Sequence, residues 1–593
     1  MHESQLLGYP PDYPPDYPPD QLAEEEVRMK KEYDRLSKAL VIRDINIDKF
    51  AEQLYSPVTV NGKVVKFLDQ SVIESRKERI LEIASLSRQQ FGLPPLAPTD
   101  REVPYLLQGD IQPTEMMLDY LKDQLTGRKK RQVLNSWASD QRKWPNGEFF
   151  YGFSDELKSD VRKTIEEVVK FYGQRTCIKF SKRIPPGKHY LVFTSNKTDD
   201  RICGSSSIGI DLSATAMAQP LMLNCGDFNT IAHEMMHAFG VGHTHSRTDR
   251  NKYVRVFKDR IFSDLWNNYI VYNYTETLDV PYEYGSIMHY PKDAMHRDNT
   301  KKYKNITMET IDRQYIDTIG DGHGKPTLYD LILLNKFYCP DACKKGAARC
   351  KNGGVPNPKN CKTCLCPEGL EGSLCDQLTP GMQNCGGHIK VGEDWTTFST
   401  PLGGRQAVPW PVGKCFWWLK AERDAQIELK FTNNYLMANP CSFNHVELRF
   451  GADYRSPDCW TFLNGILYKP MYGPNLKDST SNSWGRSHRE CARECAQPAT
   501  ILDETQNKLV ASFFEGQKVW IGFKRPSASK FVWFDGTPVA FNAVANPASA
   551  KCKKKGKKCK DRVCFYMDRD QKWYDVPCFY KEQLHVVCSI NTT

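Results

Sequence analysis

His233, Glu234 and His237 stand at helical spacing, and His243 follows after a glycine at position 240. Two histidines four apart lie on one face of a helix, so both imidazoles reach a single cation. Asn229 or Thr230 is expected to cap that helix, and Ala232, Met235, Met236 and Ala238 are good helix formers. Gly240 supplies the left-handed residue that ends it, and the chain turns back to bring His243 in as a third ligand. Three neutral histidines around a zinc ion leave an open fourth position, where bound water has its pKa lowered to roughly 7. Glu234 stands beside that water as a general base, so the chemistry expected is metal-assisted hydrolysis.

The glycine and third histidine extend the bare HExxH motif to the metzincin pattern. Its second half is a methionine turn, supplied by Ser286-Ile287-Met288-His289-Tyr290, with Met288 as an apolar floor under the metal. On these residues the chain resembles the astacin family of zinc endopeptidases. The resemblance implies that Tyr290 is a displaceable metal ligand and a donor to the tetrahedral oxyanion. It extends over residues 132–339, where Trp144-Pro145-Asn146-Gly147 is similar to the family's start. It implies an α+β metzincin domain with one Zn2+, an inner disulfide Cys203–Cys225 and an outer disulfide Cys177–Cys339. One departure follows the third histidine: Thr244 stands where the family has a glutamate that pairs with the mature N-terminus. That ion pair is not expected here.

Upstream, Leu107-Gln108-Gly109-Asp110-Ile111 resembles the family's latency motif, which usually opens with phenylalanine. The resemblance implies that Asp110 fills the open metal position and excludes the catalytic water. Gly127-Arg128-Lys129-Lys130-Arg131 is a dense basic run on a loop. A cysteine-free helical segment precedes it and a cysteine-bridged segment follows, which favours cleavage after Arg131 by a furin-like convertase over a solvated charge cluster. Gln132 then becomes the first residue of the mature chain.

The elements that hold these residues need more than one core, since single domains run roughly 50–250 residues and this chain has 593. A hydrophobic fraction of 40% and a charged fraction of 26% are those of folded protein, and no stretch approaches the roughly 18 apolar residues of a membrane span. The net charge of +10 is modest for this length and gives no reason to expect nucleic acid. Most of the 21 cysteines lie after position 338, as in disulfide-stapled extracellular modules, and the sequons at Asn196, Asn273 and Asn305 agree with secretion and glycosylation. Residues 1–30 contain no apolar stretch behind a basic start, so a secretory signal is expected upstream of the present first residue.

Six segments result. Residues 1–20, with PPDYPPDYPPD, read as a polyproline-II linker. Residues 21–131 form a helical prosegment: apolar residues such as Ile73, Ile80, Leu81 and Ala84 recur at helical spacing to about position 90, and 93–104 is proline-rich and extended. The catalytic segment follows. Residues 340–376 resemble a small disulfide-rich EGF-like module. Spacing alone leaves its connectivity open, and the resemblance implies Cys343–Cys361, Cys350–Cys364 and Cys366–Cys375.

Residues 385–459 resemble a β-sandwich CUB-like module, shortened, with alternating strands at 426–431 and 446–450 and a Cys385–Cys415 pair. Residues 460–588 resemble an α+β C-type lectin-like domain. Trp484, Cys491, Val519-Trp520-Ile521-Gly522-Phe523, Trp533-Phe534-Asp535-Gly536 and Trp573-Tyr574-Asp575 carry that likeness, which implies Cys491–Cys588 and Cys564–Cys578. Asn546-Pro547-Ala548 and Tyr574 stand where calcium-binding residues are usual, so a calcium site is not expected. The loop Lys551–Lys560 is instead lysine-rich: either a solvated loop closed by Cys552–Cys559, or an anchor for acidic glycans or matrix. Cys495 is left as the odd thiol.

The function expected is a secreted zinc endopeptidase acting on protein substrates. The module order is similar to that of nematode astacins, which implies matrix, cuticle or eggshell proteins as targets and an acidic residue after the cut. An adhesive protein with an inactive protease scaffold is the alternative. It requires the loss of a histidine ligand or of Glu234, and all of these are present.

Overall fold

In the computed structural model the described residues run from 46 to 127 and from 143 to 591 with internal gaps, the largest at 399–413, 423–445, 449–457, 472–483 and 546–562. Arg131, Asn196, Asn273, Asn305, Cys495, residues 551–560 and the strand expected at 426–431 lie outside the described residues.

Helix α1 (Ile47–Leu54) starts at Asn46, whose side chain accepts from the backbone of Asp48 and Lys49. A hairpin follows, β1 (Val58–Val60) against β2 (Lys63–Val65), turning at Asn61-Gly62 with both residues at positive φ. The prosegment is therefore not helical throughout. Asn-Gly is the strongest two-residue hairpin signal, and helical periodicity passes over it. Helix α2 (Gln70–Gln89) buries Ile73, Ile80, Ile83 and Ala84, with Leu81 half-buried. Helix α3 (Glu115–Thr126) ends on left-handed Gly127. Their buried side chains pack with Val192, Ile202, Ala218, Met222 and Tyr272 of the following segment into one apolar cluster. Residues 47–121 and the catalytic segment thus share a core.

The catalytic segment is built on β3 (Glu148–Phe153), α4 (Ser159–Arg175), β4 (Lys179–Ser181), β5 (Tyr190–Thr194), β6 (Gly204–Ser205) and β7 (Ala218–Leu223). The sheet order is β4-β3-β5-β7-β6, parallel except that β6 runs antiparallel to β7 at the edge. Every residue of β7 is buried, as a strand covered on both faces requires. Helix α5 (Phe228–Ala238) packs against α4, β6 and β7. Its cap is Asp227, whose carboxylate accepts from the Thr230 backbone at 2.9 Å, which corrects the expectation of Asn229 or Thr230. The helix begins at Phe228, half-buried with its ring edge-on to Phe171 at 5.6 Å. A small pair, β8 (Val254–Val256) and β9 (Met308–Thr310), precedes α6 (Leu328–Tyr338), which opens with a Thr327–Asp330 capping box. Disulfides Cys177–Cys339 and Cys203–Cys225 tie this segment.

Residues 343–378 hold two small antiparallel pairs, β10 (Val355–Asn357) with β11 (Asn360–Leu365) and β12 (Leu370–Glu371) with β13 (Gln377–Leu378). Disulfides Cys343–Cys361, Cys350–Cys364 and Cys366–Cys375 staple them. Glu368 is bonded by Lys325 at 2.8 Å and by Lys414 at 2.9 Å, joining this unit to its neighbours on both sides. Next, β14 (Gly386–Lys390) pairs in parallel with β15 (Phe416–Lys420), beside Cys385–Cys415.

The C-terminal sheet comprises β16 (Val446–Leu448), β17 (Asp458–Leu463), β18 (Ile466–Met471), β19 (Gln497–Pro498), β20 (Val519–Ser527), β21 (Lys530–Trp533), β22 (Val563–Met567), β23 (Trp573–Pro577) and β24 (His585–Asn591), with helix α7 (Glu504–Ser512) between β19 and β20. Strand β17 runs through the boundary expected at 459/460, and β16 pairs with it. The strand at 446–448 therefore extends the C-terminal sheet, and no two-sheet sandwich occurs among the described residues of 385–459. Alternation reveals a half-buried strand but not which sheet it joins. Phe523, Trp533, Phe565 and Trp573 form the core, with Trp573 Nε1 donating to Asn507 at 2.8 Å. Cys491–Cys588 and Cys564–Cys578 close it.

Candidate metal centre

Helix α5 presents His233, Glu234 and His237, and the turn through Gly240, at φ 100°, returns His243. Each imidazole is fixed by its Nδ1. That of His233 lies 2.7 Å from the Ile287 carbonyl, and that of His237 lies 2.8 Å from the Val241 carbonyl. That of His243 lies 2.8 Å from Gln108 Oε1. Carbonyls only accept, so the Nδ1 atoms carry the protons. The Gln108 amide nitrogen is committed to Ser246 Oγ and the Asn268 carbonyl, which leaves Oε1 as the acceptor. The Nε2 atoms of all three rings are then bare.

Those bare nitrogens converge. His233 Nε2 is 3.1 Å from His237 Nε2 and 3.3 Å from His243 Nε2. Asp110 Oδ2 sits 3.1 Å from His233 Nε2 and 3.2 Å from His243 Nε2, and its Oδ1 sits 3.6 Å from His237 Nε2. The four ligand atoms lie within 4.8 Å of one another, and buried Asp110 Oδ1 has no hydrogen-bond donor. Four lone pairs facing one another without a shared proton repel unless a cation lies between them. Bond lengths of about 2.0–2.2 Å to a tetrahedral zinc place its ligands at about these separations. The residues therefore fit a zinc ion, held by His233, His237 and His243, with Asp110 as the fourth ligand. Burial disfavours the imidazolium form, pulling His237 down to about 4 and lowering His243, although Asp110 opposes both. At His233 burial also lowers the pKa, but the hydrogen bond and charge of Asp110 outweigh it and raise it.

Glu234 is buried, and its Oε2 has no hydrogen-bond partner. Desolvation, then the charge of Asp110, push its carboxyl well above the usual range. The side chain lies so close to the edge strand that a Cβ at Gly204 would fall 2.6 Å from its Cγ, so only glycine fits there. Met288 is buried with Met235, Met236 and Leu334 beneath the site. Tyr290 is buried too, its ring stacked on His245 at 3.8 Å and its hydroxyl donating to the Gln108 carbonyl. Thr244 Oγ donates to Ser286 at 3.1 Å, and Ser286 donates to Asp330 at 2.6 Å. The residue that replaces the expected glutamate thus feeds a buried carboxylate under the methionine turn.

The prosegment enters as a tight loop. Leu107 and Ile111 exchange backbone hydrogen bonds, both at 2.8 Å, around Gln108 at φ 52° and Gly109 at φ 85°. Ser206 then donates to the Asp110 carbonyl at 3.1 Å, and Gln112 donates to the Ser206 carbonyl at 2.9 Å. The loop thereby continues the edge beyond β6 by backbone pairing. Sequence reasoning assigns Gln108 no role, although it lies inside the latency motif. Asp330, Gly204 and Asn268 lack any local signal, because each acts through a partner distant in the chain.

A three-histidine centre on a helix, floored by a methionine turn and closed by the Asp110 carboxylate, defines a zinc metallopeptidase fold. Residues 136–339 match the astacin peptidase family, and residues 480–590 match the lectin C-type domain. The chain is 28% identical over 432 residues to zinc metalloproteinase nas-36 of Caenorhabditis elegans, covering 68% of this chain and 66% of that protein. It is 32% identical over 329 residues to zinc metalloproteinase nas-25 of the same organism, covering 54% of this chain and 77% of that protein. It also resembles high choriolytic enzyme 1 of medaka, Oryzias latipes, described as a hatching enzyme zinc-protease. That structure is 29% identical and aligns with 34% of this chain and 96% of its own, at a TM-score of 0.29. The chain belongs to the astacin family. It spans 57–66% of the length of the nas-36 relatives. No helix among the described residues is long and apolar enough to cross a membrane.

Proposed function

We propose that this chain is a secreted zinc endopeptidase, made as a latent precursor, that cleaves extracellular matrix, cuticle or eggshell-type proteins. The observation that carries the reading is the set of three bare imidazole nitrogens facing one prosegment carboxylate, with Glu234 buried alongside. When bound, zinc polarises a carbonyl and lowers the pKa of its water to roughly 7. His233, His237 and His243 hold it. Departure of Asp110 opens the fourth position, departure of Gln108 frees the Tyr290 hydroxyl, and departure of Asp110 and Gln112 together frees the edge at Ser206. The edge then takes up the backbone of a substrate, as it takes up Gln112 in the precursor. Glu234 removes a proton from the attacking water and returns it to the leaving amine nitrogen, a transfer its raised pKa favours. Tyr290 donates its hydroxyl to the oxyanion of the tetrahedral intermediate.

Activation is assigned to a furin-like convertase cutting after Arg131. The eight disulfides among the described residues support an oxidising, extracellular setting. Residues 340–376 are proposed as an EGF-like module on the strength of their three disulfides, and acidic glycans or matrix as partners of Lys551–Lys560 on charge.

The test is to cut the precursor and assay an unfolded protein substrate with and without a zinc chelator. The chelator should abolish hydrolysis. Glu234→Ala should lower turnover about 10²–10⁴-fold while zinc content, read by elemental analysis, stays at that of the parent. Undiminished turnover in that variant would sink the mechanism.

A further inference from the structure

The prosegment touches the catalytic segment at a second polar point, away from the metal. Arg76 of α2 is fully buried, and its guanidinium forks onto Asp211, Nη1 and Nη2 each 3.1 Å from a different carboxylate oxygen. Arg76 Nε donates to Glu115 at 3.0 Å. Asp211 is itself only 3% exposed and is held by its own segment. Its Oδ1 accepts from the Ser213 backbone at 3.1 Å, and its backbone donates to Gln219 Oε1 at 2.9 Å. Gln219 Nε2 in turn donates to the Gly209 carbonyl, and the Gly209 backbone donates to the carbonyl of the metal-ligating His237 at 2.8 Å.

The pair lies beyond the point where Asp110 and Gln112 bond to Ser206. Asp211 follows Ser206 by five residues, past a bend at Gly209 (φ 74°), Glu115 follows Gln112 by three, and the Arg76 guanidinium bridges the two. The seat thus sits on the strip of chain that runs on from the edge beside the metal.

We propose that Asp211 is a substrate-binding carboxylate of the mature enzyme, a subsite for an arginine side chain, which Arg76 fills in the precursor. The proposal rests on the endopeptidase reading above. The seat belongs to the catalytic segment, and its hydrogen bonds to Ser213, Gln219 and Gly209 persist when the prosegment leaves. What leaves is the cation. A carboxylate built into the strip and stripped of its partner gains from any cation brought back to it, and a guanidinium matches it with two parallel bonds where an ammonium makes one. Leu212, exposed next to it, gives the seat an apolar lip for the aliphatic stem of the arginine.

The experiment uses the full-length precursor cut after Arg131 by a convertase. A neutral peptide that the enzyme cleaves once is made as a panel, with one arginine, lysine or glutamine placed in turn at each position on either side of the scissile bond. The readout is the ratio of kcat/KM for arginine over glutamine at each position. The expected result is a single position, away from the scissile bond, where arginine is favoured about tenfold, mainly through KM, and lysine less. In Asp211→Asn the ratio should fall to about one, and in Asp211→Glu it should be intermediate. In the unmutated enzyme the ratio should shrink as salt rises, which keeps the test available if the variants misfold. A ratio near one at every position in the unmutated enzyme overturns the subsite, as does a preference that survives Asp211→Asn. If no peptide is cut at all, the endopeptidase reading itself falls and takes the subsite with it.

Discussion

The segment 46–127 meets the catalytic segment at several points, two of which work by different physics. At residues 107–112 it inserts a loop whose central polar groups face the chemistry: Asp110 faces the histidines, the Gln108 carbonyl takes the Tyr290 hydroxyl, and the Gln108 amide orients His243. At α2 and α3 it buries Ile80, Leu118 and Leu121 against the other segment and closes the seam with Arg76 on Asp211. The first contact sets Asp110 among the histidine nitrogens and buries two apolar side chains, Leu107 and Ile111. The second buries a great deal and touches no reacting atom. A plug of this kind need not bind tightly if a latch elsewhere keeps it at high effective concentration.

Separating the two has its largest effect at the plug. Asp110→Ala in the uncut precursor should raise hydrolysis of a short fluorogenic peptide by about 10² or more, since the fourth position is then open to water. A variant that stays silent until the chain is cut would show that the helices, not the carboxylate, are the block. At the latch, Arg76→Met strands a buried carboxylate and should destabilise the precursor by about 3–5 kcal/mol, read as a lower urea midpoint. It should leave the uncut chain latent as long as the fold survives. Appreciable activity in folded Arg76→Met precursor would merge plug and latch into one device. The smallest effect is expected at Arg79→Ala, which removes ion pairs with Glu115 and with largely exposed Asp119 and should cost about 1 kcal/mol, less at high salt.

The same contrast explains what the sequence makes legible. Chemistry at a metal fixes residue types at fixed spacing, so His233, Glu234, His237 and His243 stand out within eleven residues of chain. Met288, Tyr290 and Asp110 can be read because short motifs surround them. Arg76 and Asp211 are 135 positions apart and each is ordinary in its own neighbourhood, so nothing local announces the pair. The apolar pattern of α5 does not mark its first turn, so periodicity misses Asp227 as the helix cap. In the C-terminal region the cysteines and tryptophans identify the domain, but the strand at 446–448 reads the same whether it closes a sandwich or extends a neighbouring sheet. Only the pairing with β17 distinguishes them.

Strand β24 lies inside the C-terminal sheet, between β18 and β20, and its Cys588 closes a bridge to Cys491, 97 positions earlier. The middle of this sheet is thus filled by residues 585–591, which follow all its other strands in the chain. Until they emerge, β18 and β20 have no common neighbour, their backbone edges are open, and the Cys491 thiol has no partner. Non-local pairing of this kind is slow and exposes hydrophobic edges while it waits. The catalytic segment, whose sheet and prosegment are complete by Cys339, can fold during translation. The two sheets of one molecule therefore close at different points along the chain, and the C-terminal one waits for its central strand and for the partner of Cys491.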